Sequence, residues 1–268
     1  MTLSGLVVVL PALAVVYFLL VNGAPAISWS FLTEMPRSGM REGGIKPAIV
    51  GTLYLLAGTL LFAVPIGILA AIYLTEYAPA NKLTRMIRLA IVNLAGVPSI
   101  VYGLFGYGLF VLFLHFGRSV LAGSLTLALL ILPVVITSAE EALLSVPRSF
   151  RDGSLALGAT KWQTIRKIVL PNSAAGIITG VVLGVGRAAG ETAPIMFTAA
   201  AFYLPRLPRS VFDDCMALPY HLYVVASEMF NCPEKVQWGT ALTLLMLVLG
   251  MNLTAAVIRA KFRRSRSW

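Results

Sequence analysis

Arg187 and Glu191 stand four residues apart inside an apolar stretch, residues 174–201. Arg187 is the one basic residue within the six long apolar stretches set out below. A charge at membrane depth costs about 2.5–3.5 kcal/mol on insertion scales, so an uncompensated one needs a function to persist. A guanidinium offers a planar fork of donors that suits a tetrahedral oxyanion. A carboxylate one helical turn along the same face can hold and screen it. Pro194 has no N–H for the carbonyl of Gly190, which leaves the backbone beside Glu191 partly free. Two readings follow: a station for an anion crossing the membrane, or an ion pair that locks two helices. Intramembrane ionisable groups face a cavity or a partner more often than lipid, which favours the first. Thr192 adds a hydroxyl, either to that site or to its own helix backbone.

Other chemistries lack their residues. The chain has no Gly-Lys dipeptide, so the Gly-Lys-Ser/Thr ending of a phosphate-binding P-loop is absent and this chain is not an ATPase. His115 and His221 fall in separate segments, and no His/Cys cluster has metal-ligand spacing. No Gly-x-Ser-x-Gly elbow supports a serine hydrolase. Cys215 and Cys232 both lie in the segment 202–237, and are either a disulfide or two free thiols.

The elements that must position Arg187 are membrane helices. Apolar residues make up 58% of the chain, charged residues 12%, and the mean hydropathy is +0.86. A water-soluble domain could not bury that balance, so the expectation is an all-α polytopic membrane protein. With a helix span needing about 20 apolar residues, six are predicted: 3–21, 48–74, 98–114, 120–138, 174–201 and 238–258. The first lacks a basic n-region and reads as a retained span, not a cleaved signal. Six spans put both termini on one side, and that side carries thirteen basic residues against four acidic ones. The other side carries seven against six, so the basic side is cytoplasmic. The formal charge of +10 thus reads as topology, and no soluble basic domain is present to hold a nucleic acid. Pro65 and Pro133 predict kinks, for packing or for gating. Gly176, Gly180 and Gly184 recur every four residues and predict a smooth face for close helix packing. The run Ala95-Gly96-Val97-Pro98 is expected to separate a cytoplasmic amphipathic helix from the third span.

Between the fourth and fifth spans lies a charged segment, residues 139–171. Ser149 precedes Asp152 at capping-box spacing and predicts a short helix that Gly158 ends in a left-handed conformation. Thr160 and Gln163 repeat the box for a second helix, which Pro171 helps to close. On it Trp162, Ile165 and Val169 form one apolar stripe opposite Lys161 and Lys167, to be packed on the protein or on a partner. Tethered at both ends near the bilayer, this unit is unsuited to a DNA groove and reads as a docking element for a cytoplasmic protein.

Gly158, Ile168, Leu170 and Pro171 match the pattern G-x9-I-x-L-P of the EAA loop in permease subunits of bacterial ABC importers. The loop's Glu-Ala-Ala falls on Asp152-Gly153-Ser154, which keeps the acid only as aspartate. Joined to EEALLSVPRS (140–149), LGATKWQTIRKIVLP (157–171), GRAAGETAP (186–194), NLAGVPSIVYGLFG (93–106) and MALPYHLY (216–223), the segment resembles the PstA-type permeases of phosphate-specific ABC importers. The likeness runs from about residue 29 to the end of the sixth span. It implies a type I ABC importer permease fold in the bacterial cytoplasmic (inner) membrane. Asp152, Gly158, Ala159, Trp162, Ile168, Leu170 and Pro171 would form the coupling loop seated in a cleft of the ATPase. It implies a second permease (PstC type), an ATP-binding subunit dimer (PstB type) and a phosphate-binding protein (PstS type) docking on the outward loops 24–46 and 202–237. No cofactor is implied for this chain; ATP and Mg are used by the partner ATPase. A permease for molybdate or sulfate would keep the EAA loop without needing Arg187 and Glu191. A secondary transporter should show repeated halves with paired broken helices, and a membrane enzyme a nucleophile–base set; the sequence shows neither.

Overall fold

The structure, a computed structural model, describes residues 2–264, with side chains placed for residues 9–257, 259 and 260. Its helices are α1 (Thr2–Gly23), α2 (Trp29–Thr33), α3 (Lys46–Ile72), α4 (Lys82–Ala95), α5 (Ser99–Gly106), α6 (Val120–Leu144), α7 (Arg148–Ala156), α8 (Lys161–Thr164), α9 (Leu170–Gly190), α10 (Ala193–Thr198), α11 (Leu218–Tyr223) and α12 (Glu234–Arg264). Wide π-helical turns extend α3 to Tyr77, α5 to Phe113 and α11 to Glu228, and a fourth, Ile165–Val169, joins α8 to α9. Among the described residues, five helical stretches are long and apolar enough to cross a membrane: Val9–Ala26, Lys46–Tyr77, Val120–Leu144, Lys161–Gly190 and Glu234–Val257. The pair Lys82–Ala95 and Ser99–Phe113, bent by 104°, supplies a sixth candidate. The bend falls where the sequence places it: α4 ends at Ala95, and Pro98 is extended (φ −57°, ψ 139°) just before α5.

α6 is the centre of the bundle. Two-thirds of its apolar window (67%) is buried, against 11% for the first span. It packs on α3 and on α9, α9 packs on α12, and α12 on α1. Leu130, Ile131, Val135, Ala188 and Ala189 form the middle of the core, and Leu143, Val146, Ile165 and Val169 the layer at the end of α6. The glycine face predicted on α9 is the seam with α6. A Cβ on Gly180 would stand 2.2 Å from Ser138 Cβ, and one on Gly176 2.6 Å from Ala142 Cβ. Only hydrogen at those positions permits this approach. Both α3 and α6 remain continuous across Pro65 and Pro133.

The segment between the fourth and fifth spans differs from expectation in three ways. α6 continues to Leu144, so Glu140 and Glu141 ride on its last turns and the loop starts at Ser145, not at residue 139. Ser149 is not a cap: Val146 precedes a proline, Pro147 is itself extended (φ −57°, ψ 142°), and the helix begins at once, which puts Ser149 inside its first turn. Pro171 does not close the second helix. Lys161 to Gly190 run as one helical stretch, with the wide turn just before Pro171 absorbing the strain of its missing N–H and bulky ring. The Thr160 capping box forms as read, with Thr160 Oγ1 accepting from the Gln163 N–H and Gln163 Oε1 accepting from the Thr160 N–H. Gly158 adopts φ +83°, the left-handed turn assigned to it.

The predicted fifth span, 174–201, ends at Gly190, and a separate short helix α10 follows. Cys215 and Cys232 are unbridged. Cys215 is buried with Leu55, Val120 and Leu127, and Cys232 with Phe31, Met40 and Val225, so separate packing clusters hold the two thiols apart. Burial pushes the Cys215 thiol up to about 12, helped by the charge of Asp214, and burial also raises that of Cys232.

Candidate functional site

Arg187 occupies the last turn of α9, where the negative end of the helix dipole favours a cation. Its partner is not on the same helix face. Glu191 is the residue just past the helix end, with extended backbone (φ −76°, ψ 127°), and its N–H still donates to the carbonyl of Ala188. From there the carboxylate reaches back, with Glu191 Oε1 3.5 Å from Arg187 Nε. That is the outer limit of a hydrogen bond, so the carboxylate screens the guanidinium without clamping it. Among the described residues the two terminal nitrogens of Arg187 have no acceptor, which leaves the outer edge of the fork for another ligand. The Arg187 side chain is one-third exposed (33%) and that of Glu191 half as much (16%).

The helix breaks here because Pro194 cannot continue the ladder onto Gly190, and α10 starts afresh with Thr192 as its N-cap. The Thr192 carbonyl accepts from the Met196 N–H, while the Thr192 hydroxyl has no partner among the described residues. A broken helix with a cation at the break is how membrane proteins present backbone and charge to a substrate, because irregular backbone survives there only beside protein or water. Two neighbours were not singled out in the sequence. Tyr102 of α5 lies within electrostatic reach of Arg187, and its hydroxyl donates to the carbonyl of Leu94, pinning the bend between α4 and α5. Asn252 of α12 stands over Gly186, its Oδ1 3.1 Å from where a Cβ would lie. An asparagine in an apolar span is the signal that could have found it.

The second cluster is the segment between α6 and α9. Ile165 and Val169 of the predicted stripe are buried against Leu143 and Val146, whereas Trp162 stays half exposed. The stripe therefore splits, its inner part packing on the bundle and Trp162 remaining outside with Phe150, Leu155 and Leu157. Asp152, Gly158 and Trp162 are on the exposed side, Ala159, Ile168, Leu170 and Pro171 half-buried. Beneath them lies a framework that the sequence did not reveal. Arg151 donates to Glu76 Oε1 through Nε (3.1 Å) and Nη2 (2.9 Å), and to the carbonyls of Val146 (2.5 Å) and Leu143 (2.8 Å). Ser154 and Thr164 share a hydroxyl–hydroxyl bond of 2.9 Å, and Lys161 Nζ stands 4.8 Å over the Tyr77 ring. These contacts tie α7 and α8 to each other and to the end of the second span.

On the opposite side, Asp213 and Asp214 do different work. Asp213 accepts from the N–H groups of Arg209 (2.8 Å) and Ser210 (3.1 Å), which holds its carboxyl below the usual range. Asp214 stands 3.6 Å from Arg206. Arg118 donates to the carbonyl of Ala200 beside them. His115 lies in the short loop before α6 with φ +57°, and His221 is buried in α11.

Residues 63–267 match the family described as the binding-protein-dependent transport system inner membrane component. The chain is 37% identical to "Phosphate transport system permease protein PstA 1" of Mycobacterium tuberculosis, over 98% of this chain and 86% of that one. It is 34% identical to the "Probable ABC transporter permease protein YqgI" of Bacillus subtilis, over 89% of this chain and 85% of the other. It is also 34% identical to PstA of Haemophilus influenzae, over 89% and 84%. Among solved structures, a bacterial ABC transporter involved in alginate import superposes with a TM-score of 0.68 at 14% identity, covering 97% of this chain and 92% of that one. The MetNI methionine ABC transporter in an inward-facing conformation superposes at 0.64 and 18% identity, covering 81% and 96%.

Proposed function

The chain belongs to the inner membrane components of binding-protein-dependent transport systems, and on that premise we propose that it is the transmembrane permease subunit of an ATP-driven importer of inorganic phosphate. The observation that carries the substrate is the 37% identity to phosphate transport permeases over nearly the whole chain. The site supports it chemically, since a guanidinium with its terminal donors free is suited to a phosphate oxyanion. In this reading Glu191 and the helix dipole hold Arg187 in place and offset its charge until the dianion arrives, and Thr192 contributes its free hydroxyl. The permease forms half of the path, the other half coming from a second, PstC-type permease.

Energy enters through the segment between α6 and α9. Trp162 and its exposed neighbours would sit in a cleft of a PstB-type ATPase dimer, where ATP and Mg are used. The Arg151–Glu76 pair then carries movement of α7 and α8 into the end of α3, and the continuous helix from Lys161 carries it to Arg187. A PstS-type binding protein would deliver phosphate to the outward loops 24–46 and 202–237. The charge bias of the segments supports a cytoplasmic position for α7, α8 and both termini. ATP hydrolysis is assigned to the partner, this chain acting as the transport subunit.

The test is radiolabelled phosphate uptake into vesicles carrying the chain with its partner subunits. Uptake that requires hydrolysable ATP and is unaffected by excess sulfate or molybdate meets the proposal. Competition by either oxyanion would overturn the substrate, and uptake indifferent to ATP would overturn the importer reading.

A further inference from the structure

A cavity of about 760 Å³ opens where the wide turn of α3 gives way to α4, on the basic side of the membrane. Its volume is within the range of small-molecule sites. Lys82, Arg85 and Arg88 line it together with Leu74, Thr75 and Pro79, and no acidic residue does. Arg88 is partly engaged, standing 2.9 Å from Glu140 Oε1 and donating to the Leu74 carbonyl at 2.7 Å, yet its buried Nε has no acceptor. Among the described residues Lys82 and Arg85 have no carboxylate partner at all. Three cations thus converge on one concave surface, two of them uncompensated.

The helix that carries them sets the depth of the cavity. α4 has 14 residues, about 21 Å of helix, too short for the roughly 30 Å of hydrocarbon. It turns 104° away from the helix that follows, and so runs across the end of that span. Leu83, Met86, Ile87 and Leu94 share one exposed face, with Arg85 and Arg88 across the helix from it, Lys82 at its edge, and the exposed Leu89 and Val92 interleaved with the cations. A basic amphipathic helix of this kind lies in the membrane interface with its apolar face among the acyl chains. The cations are then at the level of the lipid phosphates.

We propose that this cavity binds the phosphodiester headgroup of an anionic phospholipid, which fixes α4 and the bend to α5 at the bilayer surface. Charge complementarity selects an anion, and the exposed apolar face beside the cavity selects a lipid over a free ion, because it gives the acyl chains somewhere to lie. The inference does not depend on which substrate is transported.

The full chain is placed in nanodiscs of phosphatidylcholine with phosphatidylglycerol, and the lipids retained after extraction are counted by native mass spectrometry. Phosphatidylglycerol is expected to be retained in preference to phosphatidylcholine. The double substitution Lys82→Gln/Arg85→Gln should lower that retention about thirtyfold, given the pull of each juxtamembrane cation on anionic lipid. The exchange Lys82→Arg/Arg85→Lys should keep it, as should the charge-matched control Arg166→Gln/Lys167→Gln, and millimolar inorganic phosphate should not displace the lipid. Equal losses from the two glutamine pairs would reduce the effect to general charge and overturn the site. Equal retention of both lipids, or displacement by inorganic phosphate, would overturn the headgroup assignment.

Discussion

Arg151→Ala should disconnect the docking segment from the bundle. The Arg151 and Glu76 side chains are only 16% and 11% exposed, and the guanidinium makes four hydrogen bonds, two to the Glu76 carboxylate and two to the carbonyls of Val146 and Leu143. Truncation leaves an unpaired carboxylate and two carbonyls without their donor at a poorly solvated site. Breaking one side of such a pair costs about 3–5 kcal/mol. The loss falls on the docking of α7, because the core beneath it, Leu143, Val146, Ile165 and Val169, is packed independently of the arginine. Hydrogen exchange should therefore accelerate over residues 146–157 by two orders of magnitude or more, with α9 and α12 unchanged. ATP hydrolysis by the assembled transporter should continue while phosphate uptake per ATP falls at least tenfold. The double variant Glu76→Gln/Arg151→Met removes both charges and should recover part of the exchange protection. Unchanged exchange over 146–157 together with unchanged uptake in Arg151→Ala would refute this account of the coupling.

Three further predictions concern stability. His221 is 2% exposed with neither ring nitrogen partnered, and burial lowers its pKa to about 4 from an ordinary value near 6.5. The unfolded chain therefore binds the extra proton first, so stability is complete above pH 6.5 and is lost as pH falls toward 4, by about 3 kcal/mol in total. The thermal midpoint in detergent should drop between pH 7 and pH 4.5, and His221→Leu should show a distinctly smaller drop; equal drops would contradict the assignment. Gly180→Ala drives a methyl into Ser138 Cβ, 2.2 Å away, and should cost about 1–3 kcal/mol. Gly153→Ala, with nothing within 4 Å in exposed helix, should be neutral or slightly stabilising in the same melting assay.

What the sequence made legible was mostly local or compositional. The Thr160–Gln163 box and the left-handed Gly158 form because their partners are three residues away or intrinsic to the backbone, so no tertiary context intervenes. The bend before Pro98 was readable for the same reason, while the glycine seam of α9 was readable as a four-residue spacing on one face but not as a contact with α6. Pro171 misled because proline is disfavoured in a helix interior but tolerated where a wide turn precedes it, and nothing in the residues themselves announces a π turn. Ser149 misled because spacing suggested a box, while Pro147 had already set the helix start. Arg187 and Glu191 were found by their charge in an apolar stretch, yet the helix break at Glu191 and Thr192 was not, since the apolar run continues past it to residue 201. The Arg151–Glu76 pair was invisible because 75 residues separate its members and both sat in segments where charge is ordinary.

The claim at the centre of this account is that Arg187 meets the transported phosphate. The most direct measurement is ATP-driven phosphate uptake by the assembled transporter carrying Arg187→Ala, alongside Arg187→Lys and a check that the subunits still co-purify. The account predicts that Arg187→Ala abolishes uptake while the complex assembles normally. Arg187→Lys should retain a small fraction, because a single ammonium keeps the charge but lacks the planar fork. Uptake by Arg187→Ala at the level of the unaltered protein would show that the cation serves only to join helices, and would contradict the account.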